Sequence, residues 1–191
     1  MDAMTAIAER YTPETTAPAV GTARTETTTT THKATRYVFA GVRLAIGWTF
    51  LWAFFDKVFG FGFATPAERA WIEGGNPTKG FLSGAEGPFA GIYQNLAGTA
   101  FANWAFMLGL LGIGLAFTLG IGMRIAAAAG ATLYVMMWSV ALPPQNNPFM
   151  DEHLIFAAVM VGLTLIGAGK TIGLGKVWEK LAIVRKLPFL K

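Results

Sequence analysis

Cysteine is absent from the chain, histidine occurs twice, and charged side chains make up only 14% of the 191 residues, against about a quarter in an ordinary soluble domain. Each shortage excludes something. Without thiols there is no disulfide exchange, thiolate nucleophile, iron–sulfur ligation or cysteine-based zinc site within this polypeptide. His32 lies in a polar tail and His153 at the edge of an apolar run, so they do not supply the two facing axial imidazoles of a membrane haem. No haem, iron–sulfur cluster or metal is therefore expected in this chain, and redox chemistry would have to be borrowed from another molecule. The basic residues are not interleaved with aromatics on one face, which argues against nucleic acid as a partner. Residues 1–36 lack the apolar core of a cleavable signal peptide, so the first membrane helix is expected to act as its own insertion signal.

What the chain has in quantity is apolar surface. Hydrophobic residues reach 53% and mean hydropathy is +0.47, which points to lipid as the solvent. Residues 1–36, with the stretch "TARTETTTTTHKATR", have no apolar period and read as a disordered tail. Four apolar runs follow. Tyr37 to Phe55 is broken only by Arg43, and Phe101 to Met123 carries no charge. Ile125 to Leu142 ends at "PPQNNP", and Leu154 to Gly169 becomes long enough once Pro148 to His153 form its first turns. About 20 residues cross roughly 30 Å of hydrocarbon, so the expected fold is an all-α, integral membrane four-helix bundle. Its spans lie at about 37–57, 101–122, 124–142 and 149–169, within a domain of residues 37–170.

Lysine and arginine set the orientation. Arg24, Lys33, Arg36, Arg124 and the C-terminal Lys170, Lys176, Lys180, Arg185, Lys186 and Lys191 fall on one side, while the 143–153 loop has no basic residue. The expectation is a multi-pass protein of the cell's inner membrane with both termini in the cytoplasm. Small residues at every fourth place, Gly112/Ala116/Gly120, Gly122/Ala126/Gly130 and Ala158/Gly162, read as tight helix packing. Residues 171–191 form a basic C-terminal segment, and "VWEKLAIVRK" at 177–186 has the pattern of an amphipathic interfacial helix. The outer loop, 60–100, is rich in aromatics. Short helices in "PAERAWIEGG" and "GPFAGIYQNLAG" are expected to form a lid at the outer mouth.

Ionisable groups at membrane depth are the candidates for chemistry. Asp56 and Lys57 close the first run, and Asp151, Glu152 and His153 open the fourth, all at the expected outer face. These five could converge there, with Trp52, Asn103, Trp104 and Trp138 near them in depth. The bland alternative is that Asn147 caps a helix starting at Pro148, with Asp151 and Glu152 facing the positive end of its dipole. That explains the carboxylates better than it explains His153, whose ring suits proton exchange with a lipid-soluble carrier. Arg43 either snorkels to the cytoplasmic interface or pairs with backbone carbonyls, threonine or a ligand.

The stretch "RLAIGWTFLWAFFDK" (43–57), the four runs and "NNPFMDEHLIFA" together resemble the DoxX family, including its DoxD branch. Arg43 and Lys57 match the family's arginine and the lysine fourteen residues on, while Phe54 stands where the family has glycine. The resemblance implies the membrane subunit of a thiosulfate:quinone oxidoreductase that passes electrons to the quinone pool. In that role His153, Glu152, Asp151 and Lys57 would be catalytic, and Asp56, Trp52, Trp104, Asn103, Trp138 and Arg43 would form the quinone site. A second redox subunit or soluble enzyme would be the partner, and self-association stays open. Other DoxX relatives imply a non-catalytic anchor that organises soluble oxidant-defence enzymes. A transporter is disfavoured, since no run holds a broken helix or paired midplane charges.

Overall fold

Charge-free runs of helix-forming residues, punctuated by glycine and by capping side chains, become helices almost throughout. The computed structural model describes residues 22–191, with side chains from residue 32. The chain divides after Ala34, and the fold set out here is that of Thr35–Lys191. Helix α1 is Thr22–Phe59, α4 Ala100–Leu119, α5 Met123–Val140 and α6 Glu152–Leu165. Short helices α2 (Lys79–Ser83) and α3 (Ala90–Leu96) lie between α1 and α4, and α7 (Gly175–Trp178) and α8 (Ala182–Lys186) follow α6. Among the described residues no strand occurs.

Among the described residues three helices are long and apolar enough to cross a membrane: the His32–Phe59 part of α1, α4 and α5. The fourth expected span is shorter than anticipated, because α6 begins only at Glu152. Asn147 does not cap it. Its side-chain oxygen accepts instead from the N–H groups of Phe149 and Met150, both at 3.0 Å, which turns the chain before the helix. Asp151 is the cap, accepting from the N–H groups of His153 and Leu154. At the tail, the stretch 22–36 expected to be disordered is helical from Thr22; residues 1–21 lie outside the described part.

Helix α4 stops at Leu119 because Gly120 takes a left-handed conformation (φ 73°) that places its N–H on the carbonyl of Ala116. That turn also needs glycine for a second reason. A Cβ on Gly120 would stand 2.6 Å from the carbonyl oxygen of Gly169, so two backbones touch here with no side chain between them.

Close packing does use small residues, but not all of those the spacing singled out. A Cβ on Gly47 would meet Thr118 Oγ1 at 2.6 Å, and one on Gly114 would meet Leu51 at 2.8 Å, so α1 and α4 pack backbone to backbone there. Gly130 is filled by Met160 of α6. By contrast Gly109, Gly112 and Gly162 face open space. The core that results is thin: Ile46, Phe50, Met107, Ile113, Phe117 and Met160 are among its buried members. Only 28–33% of the three long apolar windows is buried, so most of their hydrophobic surface faces outward.

The 60–100 loop holds short helices, with α3 inside "GPFAGIYQNLAG" and two single 3-10 turns, Ala67–Arg69 and Trp71–Glu73, inside "PAERAWIEGG". Tyr93 and Ala85 pack on Val140, and the Tyr93 hydroxyl lies 2.5 Å from that of Ser139. At the other end the single amphipathic helix expected over 177–186 is divided into α7 and α8. The division follows from folding back: Trp178 donates its indole N–H to Leu190 at 2.5 Å, Arg124 donates to Pro188 at 2.8 Å, and Val184 is buried.

Candidate functional site

Arg43 sits at the end of the fold away from Lys57, about 21 Å along the same helix by a rise of about 1.5 Å per residue. It is fully buried, so it does not snorkel. Its guanidinium donates to the carbonyls of Phe117, Thr118 (2.9 Å) and Ile172 (2.6 Å). The first two belong to the last turn of α4, where carbonyls lack intrahelical partners, so a planar multi-donor group answers a need the helix end creates. The arrangement binds α1, α4 and the 171–174 segment together, and takes Arg43 out of the quinone-site group.

At the Lys57 end of the fold the predicted residues separate into several groups. Asp56 is buried, and its two carboxylate oxygens accept from the N–H groups of Phe63 and Ala64. It closes the turn after α1. Trp52 belongs to an aromatic cluster around that turn, with its ring 5.7 Å from Phe61 and 5.1 Å from Phe63. Asn103 accepts from both the N–H and the hydroxyl of Thr78, at 3.2 and 2.7 Å, tying the loop to α4. Trp104 packs edge-on against Trp71 at 4.8 Å, and Trp138 donates to the carbonyl of Phe149 at 2.9 Å.

His153 and Asp151 form a pair of their own, Nδ1 to Oδ2 at 2.7 Å. The imidazole lies against Tyr134 of α5 at 5.9 Å, and the same tyrosine meets Phe50 of α1 and Phe156 of α6. Tyr134 is thus a buried hub joining three helices, and sequence reasoning did not single it out. Its one legible signal was a hydroxyl inside an apolar run. Glu152, next to this pair in sequence, is exposed.

Lys57 stands elsewhere. Its ammonium lies 5.8 Å from the ring centre of Phe106, makes no ion pair among the described residues, and lines a cavity of about 1000 Å³. This groove runs between α4 and α5 from Lys57, Thr78 and Tyr93 at the outer end to Arg124 and Phe189 at the other, about 24 Å by the rise of α5. Small residues make the room: Gly109 on α4 faces Ala128, Ala129 and Thr132 on α5. The exposed side chains of Phe101, Ile125 and Met136 flank its open side. Neither Asp151, Glu152 nor His153 lines it. The geometry therefore offers an elongated apolar slot with a cation at each end, Lys57 and Arg124, and, apart from it, a carboxylate–imidazole pair. Sequence spacing singled out other small residues, Gly112 and Gly130 among them, and read them as packing.

Compared with protein-family models, with curated proteins and with solved structures, the chain has no match.

Proposed function

We propose that this is a multi-pass membrane protein, with a four-helix bundle in the bilayer and both termini in the cytoplasm, and that the α4–α5 groove binds a quinone. In this reading the chain is the quinone-facing subunit of a sulfur, thiosulfate-type, oxidoreductase, as the DoxX-like pattern implies. The observation that carries the proposal is the Lys57 ammonium at the end of a long apolar groove. Outward-facing apolar surface on all three long helices supports the bilayer.

The groove suits the group. A quinone combines a flat ring bearing carbonyl acceptors with an apolar tail, and it takes up two electrons and two protons when reduced. Ligand pockets are mostly apolar with a few polar groups that fix orientation. Lys57 would donate to a ring carbonyl, Phe106 would flank the ring, and the slot between Gly109 and Ala129 would take the tail. Electrons would arrive from a partner subunit, since the chain has no cysteine. The Asp151–His153 pair takes no part in the binding step on this reading.

The test is titration of purified protein with a short-tailed quinone analogue, followed by calorimetry. Lys57→Gln should weaken binding about tenfold or more, the range for a hydrogen bond from a charged donor, and His153→Ala should leave it unchanged. Unaltered affinity in both Lys57→Gln and a groove-filling Gly109→Phe variant would overturn the reading. Thiosulfate-dependent quinone reduction in membranes, lost on Lys57→Gln, tests the substrate.

A second reading, an anchor for soluble redox or oxidant-defence enzymes, is favoured by one surface. Val177, Ile183 and Leu187 are exposed beside Lys180, Arg185 and Lys186. Loss of co-purifying enzymes on deletion of residues 177–191, without quinone in the purified protein, would support the anchor over the oxidoreductase.

A further inference from the structure

Arg124 lines two cavities. One is the inner end of the α4–α5 groove; the other is a smaller space of about 130 Å³ beside the α4–α5 turn, also lined by Thr164, Lys170, Trp178 and Lys191. The charged residues lining this space are Arg124, Lys170, Lys191 and Glu179. Glu179 pairs with Lys170 at 2.9 Å, which leaves positive charge in excess. It is also the one acidic residue between 170 and 191. The walls are held by specific bonds: Arg124 to Pro188 at 2.8 Å, its N–H to Lys191 at 2.8 Å, and Trp178 to Leu190.

We propose that the small cavity binds the phosphate of an anionic phospholipid, with one acyl chain laid into the inner end of the groove past Ile125 and Phe189. Arginine and lysine recognise phosphate oxygens by charge and hydrogen bonding. A free phosphate would satisfy that half of the site. The other half is apolar and begins at the same Arg124, and a headgroup carrying its own hydrocarbon fits both. The inference rests on membrane placement, and not on quinone binding.

The experiment is native mass spectrometry of the full chain released from detergent, with phosphatidylglycerol, phosphatidylcholine or inorganic phosphate added. The wild type should retain phosphatidylglycerol over phosphatidylcholine. Lys170→Gln and Arg124→Gln should each weaken that retention about fivefold, the scale of one basic residue at an anionic lipid. Arg124→Lys should restore most of it, and Lys180→Gln, outside the cavity, should not change it. Because Arg124→Gln also loses the bond to Pro188, the comparison of Arg124→Lys and Lys170→Gln carries the test if that variant misfolds. Equal retention of the two lipids, or indifference to Lys170→Gln, overturns the site. Binding of inorganic phosphate without lipid selectivity overturns the lipid assignment. Resistance of the protein to alkaline extraction from membranes reports the membrane placement independently.

Discussion

The Asp151 carboxylate holds His153 twice, through the main-chain N–H at 3.0 Å and through ring Nδ1 at 2.7 Å. The same group that caps α6 therefore orients the imidazole. The two functions separate by substitution. Asparagine keeps the cap, whereas alanine removes it at a cost of about 1 kcal/mol. Asp151→Asn should melt within a degree or two of wild type in detergent, at about 0.2 kcal/mol of change, and Asp151→Ala clearly lower. Equal melting of the two variants would show that capping is not what the carboxylate contributes.

Arg43 should behave as a structural residue. Arg43→Ala leaves the carbonyls of Phe117, Thr118 and Ile172 without their donor and opens a cavity, costing about 3 kcal/mol or more. Arg43→Lys should recover part of this, with fewer donors in a less suitable geometry. Thermal unfolding measures the loss, and quinone-analogue affinity of the folded fraction should be unchanged.

Glycines on α4 should divide sharply. Gly109 has open space where a Cβ would go, so Gly109→Ala should be neutral or stabilising by up to about 1 kcal/mol through helix propensity. Gly114→Ala would push its methyl into Leu51, including the main-chain nitrogen at 3.0 Å, and should destabilise by about 1–3 kcal/mol. Chemical denaturation of the two variants side by side checks the sign of each.

The helices α4 and α5 were legible because their runs carry almost no charge, and the outer loop because its aromatics come in short groups between glycines. What sequence reasoning placed less well depends on direction around a helix axis. Lys57 and His153 each stand at the end of an apolar run, which sequence can show. Yet Lys57 faces the groove and His153 faces Tyr134 on α5, which requires knowing how the helices are rotated. The same holds for Gly112, whose spacing could not say whether a neighbour fills the place beside it. The start of α6 was a contest between two good caps, Asn147 and Asp151. Trp138, bonded to the carbonyl of Phe149 and stacked edge-on against its ring, favours a turn at 147–150 and so gives the helix to Asp151.

Loosening the loop should alter kinetics more than affinity. Asn103→Ala removes both bonds to Thr78, a loss of about 1 kcal/mol per bond, and frees Thr78 at the end of the groove while Lys57 and the α4–α5 walls stay in place. Faster dissociation of a quinone analogue in stopped flow, alongside a melting temperature lowered by roughly 4–8 °C, is the expected result. An unchanged off-rate together with earlier melting would make the contact purely structural.

The groove lies open along its flank, between Phe101, Ile125 and Met136. In a bilayer that side is the hydrocarbon, so a ligand would arrive by moving sideways through the lipid rather than out of water. Occupancy would then follow the mole fraction of ligand in the membrane, and adding plain lipid at constant total ligand should empty the site by dilution alone.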